Sequence, residues 1–203
     1  MPTDPAFPDV PTDQLRDGGW EVVDESVETV FQLPTARVEG ATKVYDDAET
    51  REAVRDEVGF DHQWRFFFAT ALSFTPPLAP GIGPTMILPT VRSEAQSAFA
   101  DELADRGFES VERGRRERVR VDSGDRARLR IYSAELDLEA ADAMLSITGW
   151  VGVWHGDGFR IAAGAYPDQS LSSLLAIENP PETIQRAPSD YRAELLDLIR
   201  AVA

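Results

Sequence analysis

The chain has 203 residues, 42% of them hydrophobic, which suffices for one domain with a sizeable core and argues against global disorder. It has no cysteine, so disulfides, thiolate metal sites, thiol catalysis and iron–sulfur clusters are excluded. Its net charge is −16, with 36 acids set against 19 arginines and a single lysine, Lys43; such a surface repels phosphate backbones, so no nucleic-acid partner is expected.

Residues 1–12 carry Pro2, Pro5, Pro8 and Pro11 and no apolar run, and read as a disordered tail rather than a signal peptide. A single domain is expected over 13–203, opening with a short turn at Asp13–Asp17. Trp20–Leu33 and Ala36–Tyr45 alternate and are rich in β-branched residues, which predicts a strand pair turning near Pro34. Asp46 with Glu49 forms a capping-box pattern for a helix over 47–58 that stops at Gly59.

The stretch Phe66–Val91 has 26 residues without one charged side chain. Trp64, Phe66, Phe68, Leu72 and Phe74 share one parity, so its first part reads as a central strand ending at Pro76-Pro77. The same prolines stop any helix well short of the ~20 residues a membrane crossing needs, which leaves a soluble, cytoplasmic protein as the expectation. Leu78–Gly83 reads as a loop and Thr85–Leu88 as a short returning strand. If the loop touched a membrane surface, Leu78 and Ile82 would project into solvent.

Ser93 and Gln96 open a helix with Ala95, Phe99 and Leu103 on one stripe, closed by Gly107. Strands follow at 108–121 and 126–137, then at 146–155 and 159–166 around a two-residue Asp157-Gly158 turn. Asp168 caps a short helix bearing Leu171, Leu174 and Leu175; a proline-rich connector spans 178–188. Ser189 caps a last helix with Tyr191, Leu195, Leu198 and Val202 on its stripe. The sum is an α+β domain: one antiparallel sheet of about six to seven strands with helices packed on it.

Eight arginines fall between positions 113 and 130 against Glu117, Asp122 and Asp125, so this piece is near +5 and the remainder of the chain near −21. Alternation puts Arg118 and Arg120 on one face and Val119 and Val121 on the other. For the apolar sets to share a face, Arg120 should pair with Arg128 and Arg118 with Arg130 around a Ser123-Gly124-Asp125 loop. Like charges directly opposite destabilise a sheet. Either salt screens them or something anionic covers them: the chain's own carboxylates, such as Glu21, Asp24, Glu25 and Glu28 or those of a helix, a protein partner, or a small anionic ligand.

Trp150, Gly152 and Trp154 share a face, and with Asp157-Gly158 as the turn Ala163 sits opposite Gly152. That arrangement is either a slot with indole walls or a seat for a packed helix. His155 ends that strand and His62 follows Asp61; either, with nearby carboxylates, would be needed for a small hydrolase or metal-dependent enzyme. No P-loop, dinucleotide fingerprint, nucleophile elbow or zinc-protease motif is present, so no catalytic residue, metal or cofactor is assigned.

Several short motifs occur in order: Gly18-Gly19-Trp20, a central strand ending in Thr75-Pro76, an arginine-bearing strand pair, and His155-Gly156-Asp157 leading to Tyr166-Pro167. Together they resemble an uncharacterised haloarchaeal family of unknown function, many members of which carry a lipoprotein signal; this chain has no lipobox cysteine. By fold analogy a curved antiparallel sheet with flanking helices is similar to the PsbP-type accessory proteins, which implies binding without catalysis. The resulting expectation is a salt-adapted, non-enzymatic binding or accessory protein, with Arg118, Arg120, Arg128, Arg130, Trp150, Trp154 and His155 as contact candidates.

Overall fold

The computed structural model describes residues 6–203. The expected tail therefore lies outside the described residues as far as position 5; beyond it the chain is tied down. Asp9 and Ala203 exchange backbone hydrogen bonds of 3.0 Å in both directions, and Pro8 and Val10 are buried.

In chain order the elements are α1 (Thr12–Asp17), β1 (Trp20–Leu33), β2 (Ala36–Asp47), α2 (Ala48–Val58), β3 (Phe66–Thr75), α3 (Pro84–Asp105), β4 (Glu109–Arg120), β5 (Arg126–Leu138), β6 (Ala143–His155), β7 (Phe159–Pro167), α4 (Leu171–Leu174) and α5 (Pro188–Arg200). Two single 3-10 turns, Glu139–Ala141 and Glu182–Ile184, complete the set. The seven strands form one antiparallel sheet in the order β1-β2-β3-β7-β6-β5-β4, with helices packed on it.

A hairpin extended by one strand, β1-β2-β3, thus meets a four-strand meander where β3 pairs with β7. β3 and β4 run parallel with three strands between them, and α3 is the crossover that joins them over one face. On that face α3 buries Val91, Ala95, Phe99 and Leu103 against residues such as Phe66, Tyr132, Val151 and Ala163. On the other face α5 buries Tyr191, Leu195, Leu198 and Ile199 against Phe67, Leu129, Trp150 and Ala162. Each large apolar side chain removed from water there is worth about 1.5–3 kcal/mol, so both helices are held mainly by burial rather than by propensity. Gly164 makes the second docking possible, because a Cβ on it would stand 2.4 Å from the Phe66 carbonyl oxygen and 2.6 Å from Leu195 Cδ1.

Several local expectations are corrected. Thr85–Leu88 is not a strand: α3 starts at Pro84, nine residues before Ser93. Proline is favoured in a first helical turn, where its missing N–H has no partner to lose. Pro89 lies within the helix, where a proline usually breaks the pattern, which is why the sequence reads as a helix opening only at Ser93. Leu78 and Ile82 are half-buried rather than projecting. The α2 cap is Asp47, whose side chain accepts from Thr50 N, and not Asp46. Ser170, not Asp168, caps α4. α5 begins at Pro188 with Asp190 accepting from Ala187 N, in place of a Ser189 cap.

Candidate functional site: an arginine-lined cleft

β4 and β5 form the hairpin at one end of the sheet, and its register differs from expectation. Arg120 pairs with Arg126, Arg118 with Arg128 and Arg116 with Arg130. The shift is two residues, because the three-residue loop is Asp122-Ser123-Gly124, one position earlier than expected: Val121 N donates to the Asp125 carbonyl at 3.0 Å and Gly124 N to the Val121 carbonyl at 2.8 Å. A two-residue shift preserves facing. Val119, Val121, Ala127 and Leu129 therefore point to the α5 side, and the arginines to the α3 side.

One irregularity adds to the arginine face. Between Arg113, paired with Tyr132, and Arg116, paired with Arg130, β4 holds one residue more than β5. This bulge puts Arg113 and Arg116 on the same face although strict alternation would separate them. Arg115 is left on the opposite side, 3.8 Å from Glu117.

α3 supplies the other wall. Arg92, Ser93, Gln96 and Pro89 line a cavity of about 290 Å³ with Arg113, Arg116 and Arg128. Arg92 and Arg128 also line an adjoining cavity of about 350 Å³ with Arg118, Arg120 and Arg126. Arg130 lies on the same face, buried, and donates to the Gly114 carbonyl at 2.8 Å. Tyr132 fixes the helix over the sheet by donating to the Gln96 carbonyl at 2.8 Å, and Arg113 lies 5.9 Å from its ring centre.

Among the described residues, no carboxylate lies within 4.0 Å of any of these cleft guanidinium groups. Burial, and then the charge of Arg128, lowers the Arg92 pKa from its ordinary value. Burial, then Arg116 and Arg113, does the same to Arg130. A guanidinium does not lose its proton in a protein, so these shifts express a charged state that its surroundings disfavour. The Nε atoms of Arg92 and Arg130 are buried without a hydrogen-bond partner. The carboxylates considered as cover, Glu21, Asp24, Glu25 and Glu28, sit on β1, at the far edge of the sheet from β4. Six strand spacings, about 29 Å, separate them from the arginines, so they cannot act as that cover.

The other candidates lie elsewhere. Trp150 and Trp154 are each 1% exposed, on the opposite face and beneath α5. The β6–β7 register also slips by one from expectation, with Gly152 opposite Ala162 and His155 opposite Phe159 around a three-residue loop. The indoles thus form a seat for a helix: Trp150 donates to the Tyr166 hydroxyl at 3.3 Å, and Arg192 from α5 lies 5.4 Å from its ring centre. His155 packs edge-on against Phe159 at 4.6 Å. His62 lies between Phe60 and Trp64, with its pKa lowered by burial and then by Arg51. Among the described residues no three His, Asp or Glu side chains gather into a metal-holding group.

A second charged centre, which no sequence motif marks, lies at Arg65. Arg65, 1% exposed, bridges Asp47 at 2.6 Å and Glu194 at 2.8 Å, with its guanidinium 4.7 Å from the Trp20 ring and 4.4 Å from the Tyr191 ring. Burial works against the Glu194 carboxylate, but the Arg65 charge, the Trp20 N–H at 2.9 Å and Arg186 outweigh it and hold its pKa below the ordinary value. The Arg65 charge is neutralised from within by two carboxylates, although its Nε and the Tyr191 hydroxyl are buried without a partner, which marks this centre as a joint between β2, β3 and α5 rather than as a site with unmatched charge. No spacing rule in the sequence connects positions 47, 65 and 194.

The family model described as Domain of unknown function (DUF6517) matches residues 7–203. The chain belongs to that family. No curated protein and no solved structure matches it. The DUF6517 match spans α1 through α5, so the cleft and the Arg65 joint both fall within the family domain. No helix of this DUF6517 domain is long and apolar enough to cross a membrane.

Proposed function

We propose that this is a salt-adapted, non-enzymatic binding protein whose cleft between α3 and the β4–β5 hairpin takes a small anion bearing several phosphate or carboxylate groups. The observation that carries the reading is the absence, among the described residues, of any carboxylate within 4.0 Å of Arg92, Arg113, Arg116, Arg118, Arg126 or Arg128. Guanidinium groups present paired N–H donors that match the oxygens of phosphate and carboxylate, and a concave site concentrates their field. The excess of 36 acids over one lysine and 19 arginines supports working conditions in which salt screens the outer surface. A partly enclosed cleft, with Arg92 half-buried, keeps its charges less screened than exposed ones.

Isothermal calorimetry with inorganic pyrophosphate, over a series of potassium chloride concentrations, tests this. Saturable binding that weakens with salt and disappears in Arg92→Gln is expected. Equal binding by wild type and Arg92→Gln, or none in any salt, overturns it.

A further inference from the structure

α3 has a second flank. On the side away from the arginines, the helix, β1, β2, β3 and β7 border a half-open cavity of about 180 Å³ lined by Phe31, Phe68, Phe99 and Ile161, with Thr42 and Thr70 among the polar residues on its wall. Two carboxylates, Glu94 and Glu102, stand on its α3 wall, with Ala98 between them at helical spacing. The small side chain of Ala98 leaves the space between the two acids open.

The two acids differ. Glu102 accepts from Arg106 Nε at 2.6 Å, and Arg106 is further held by Gln63 and lies 3.9 Å from the Phe66 ring centre. Glu94 has no cation within 4.0 Å among the described residues. The cavity therefore has a neutralised end at Glu102–Arg106 and a free negative charge at Glu94. Three phenyl rings line it, with those of Phe68 and Phe99 at 6.2 Å. Aromatic rings carry negative potential on their faces and attract organic cations, most strongly when water is displaced. An anion would meet Glu94, and a hard metal cation would forfeit hydration against phenyl walls.

We infer that this cavity is a second, independent site that takes an alkylated ammonium group, with the cation at the Glu94 end and its carbon substituents against Phe31, Phe68 and Phe99. The site discriminates by charge as well as by shape. A neutral molecule of the same outline gains the apolar contact but loses the attraction to the rings and to Glu94.

The test uses choline and its uncharged isostere, in which a tert-butyl group replaces trimethylammonium, each titrated into the full chain while the Ala95 and Ala98 methyl resonances are followed by NMR. Choline should move both methyls saturably, and bind about fivefold or more tightly than the isostere. Glu94→Gln, at an exposed position, should weaken choline alone by a similar factor, Ala98→Leu should abolish binding of both, and Arg92→Gln should change neither. Equal affinity for the two molecules, no effect of Glu94→Gln, or no saturable shift at Ala98 would each overturn the proposal. Because Arg92→Gln belongs to the other cleft, failure here is distinguishable from failure of the anion site.

Discussion

Arg92 on α3 and Arg128 on β5 border the same two cavities, and among the described residues no carboxylate stands within 4.0 Å of either. The fold thereby holds like charges together: Arg128 also sits directly opposite Arg118 in the hairpin register. An arrangement of this kind opposes stability until something negative enters it.

Arg128→Gln should therefore stabilise the free protein. In the lowest salt that keeps the chain folded, and without multivalent anions, urea denaturation should show a gain of about 0.2–1 kcal/mol, the size of a cross-strand pair interaction, here of repulsive sign. In molar potassium chloride the gain should vanish. A loss of stability in low salt would mean that Arg128 has a favourable partner.

Arg65 behaves in the opposite way. Arg65→Met leaves Asp47 and Glu194 facing each other in the interior, and breaking a buried pair from one side costs about 3–5 kcal/mol. Arg65→Lys should recover only part of this, since an ammonium cannot bridge both carboxylates while stacked between Trp20 and Tyr191. Denaturant midpoints of the two variants give the comparison.

Gly19 and Gly59 make a matched pair, with φ of +74° and +71°. A Cβ at Gly19 would lie 2.4 Å from Glu49 Cβ, whereas nothing stands within 4 Å of one at Gly59. Both alanine variants carry the backbone penalty of about 1 kcal/mol, so any excess at Gly19 isolates the clash with the first turn of α2. Gly19→Ala should unfold at clearly lower urea than Gly59→Ala.

His62 gives stability a pH slope. Its folded pKa lies below 6.5, first through burial and then through Arg51, with Asp46 and Asp61 acting the other way. As pH falls below about 6.5 the unfolded chain takes up the proton first, so stability drops until the pH passes the folded pKa. His62→Phe keeps the ring stack with Phe60 and Trp64 and should flatten that part of the profile.

Much of the architecture was legible because it rests on periodicity. The parity of Phe66, Phe68, Leu72 and Phe74, and the alternation of Arg118 and Arg120 with Val119 and Val121, are local signals that survive in the structure. What could not be read depends on pairing. The hairpin turn is set by backbone bonds within Val121–Asp125, and the bulge that brings Arg113 beside Arg116 leaves no mark in composition. Arg92 joined the cleft only through the crossover of α3, whose first turns were hidden by Pro84 and Pro89. Trp150 and Trp154 carried a real signal of small and large residues on one face, but the helix that fills the space, α5, lies about 40 residues further on in the chain.

The cleft itself is best tested by arginine Nε–Hε NMR during a titration with inorganic pyrophosphate. The resonances of Arg92, Arg113 and Arg128 should move together, saturate at one equivalent, and return when the anion is removed. If those resonances stay fixed while only exposed arginines such as Arg16 and Arg115 respond, the cleft is not an anion site.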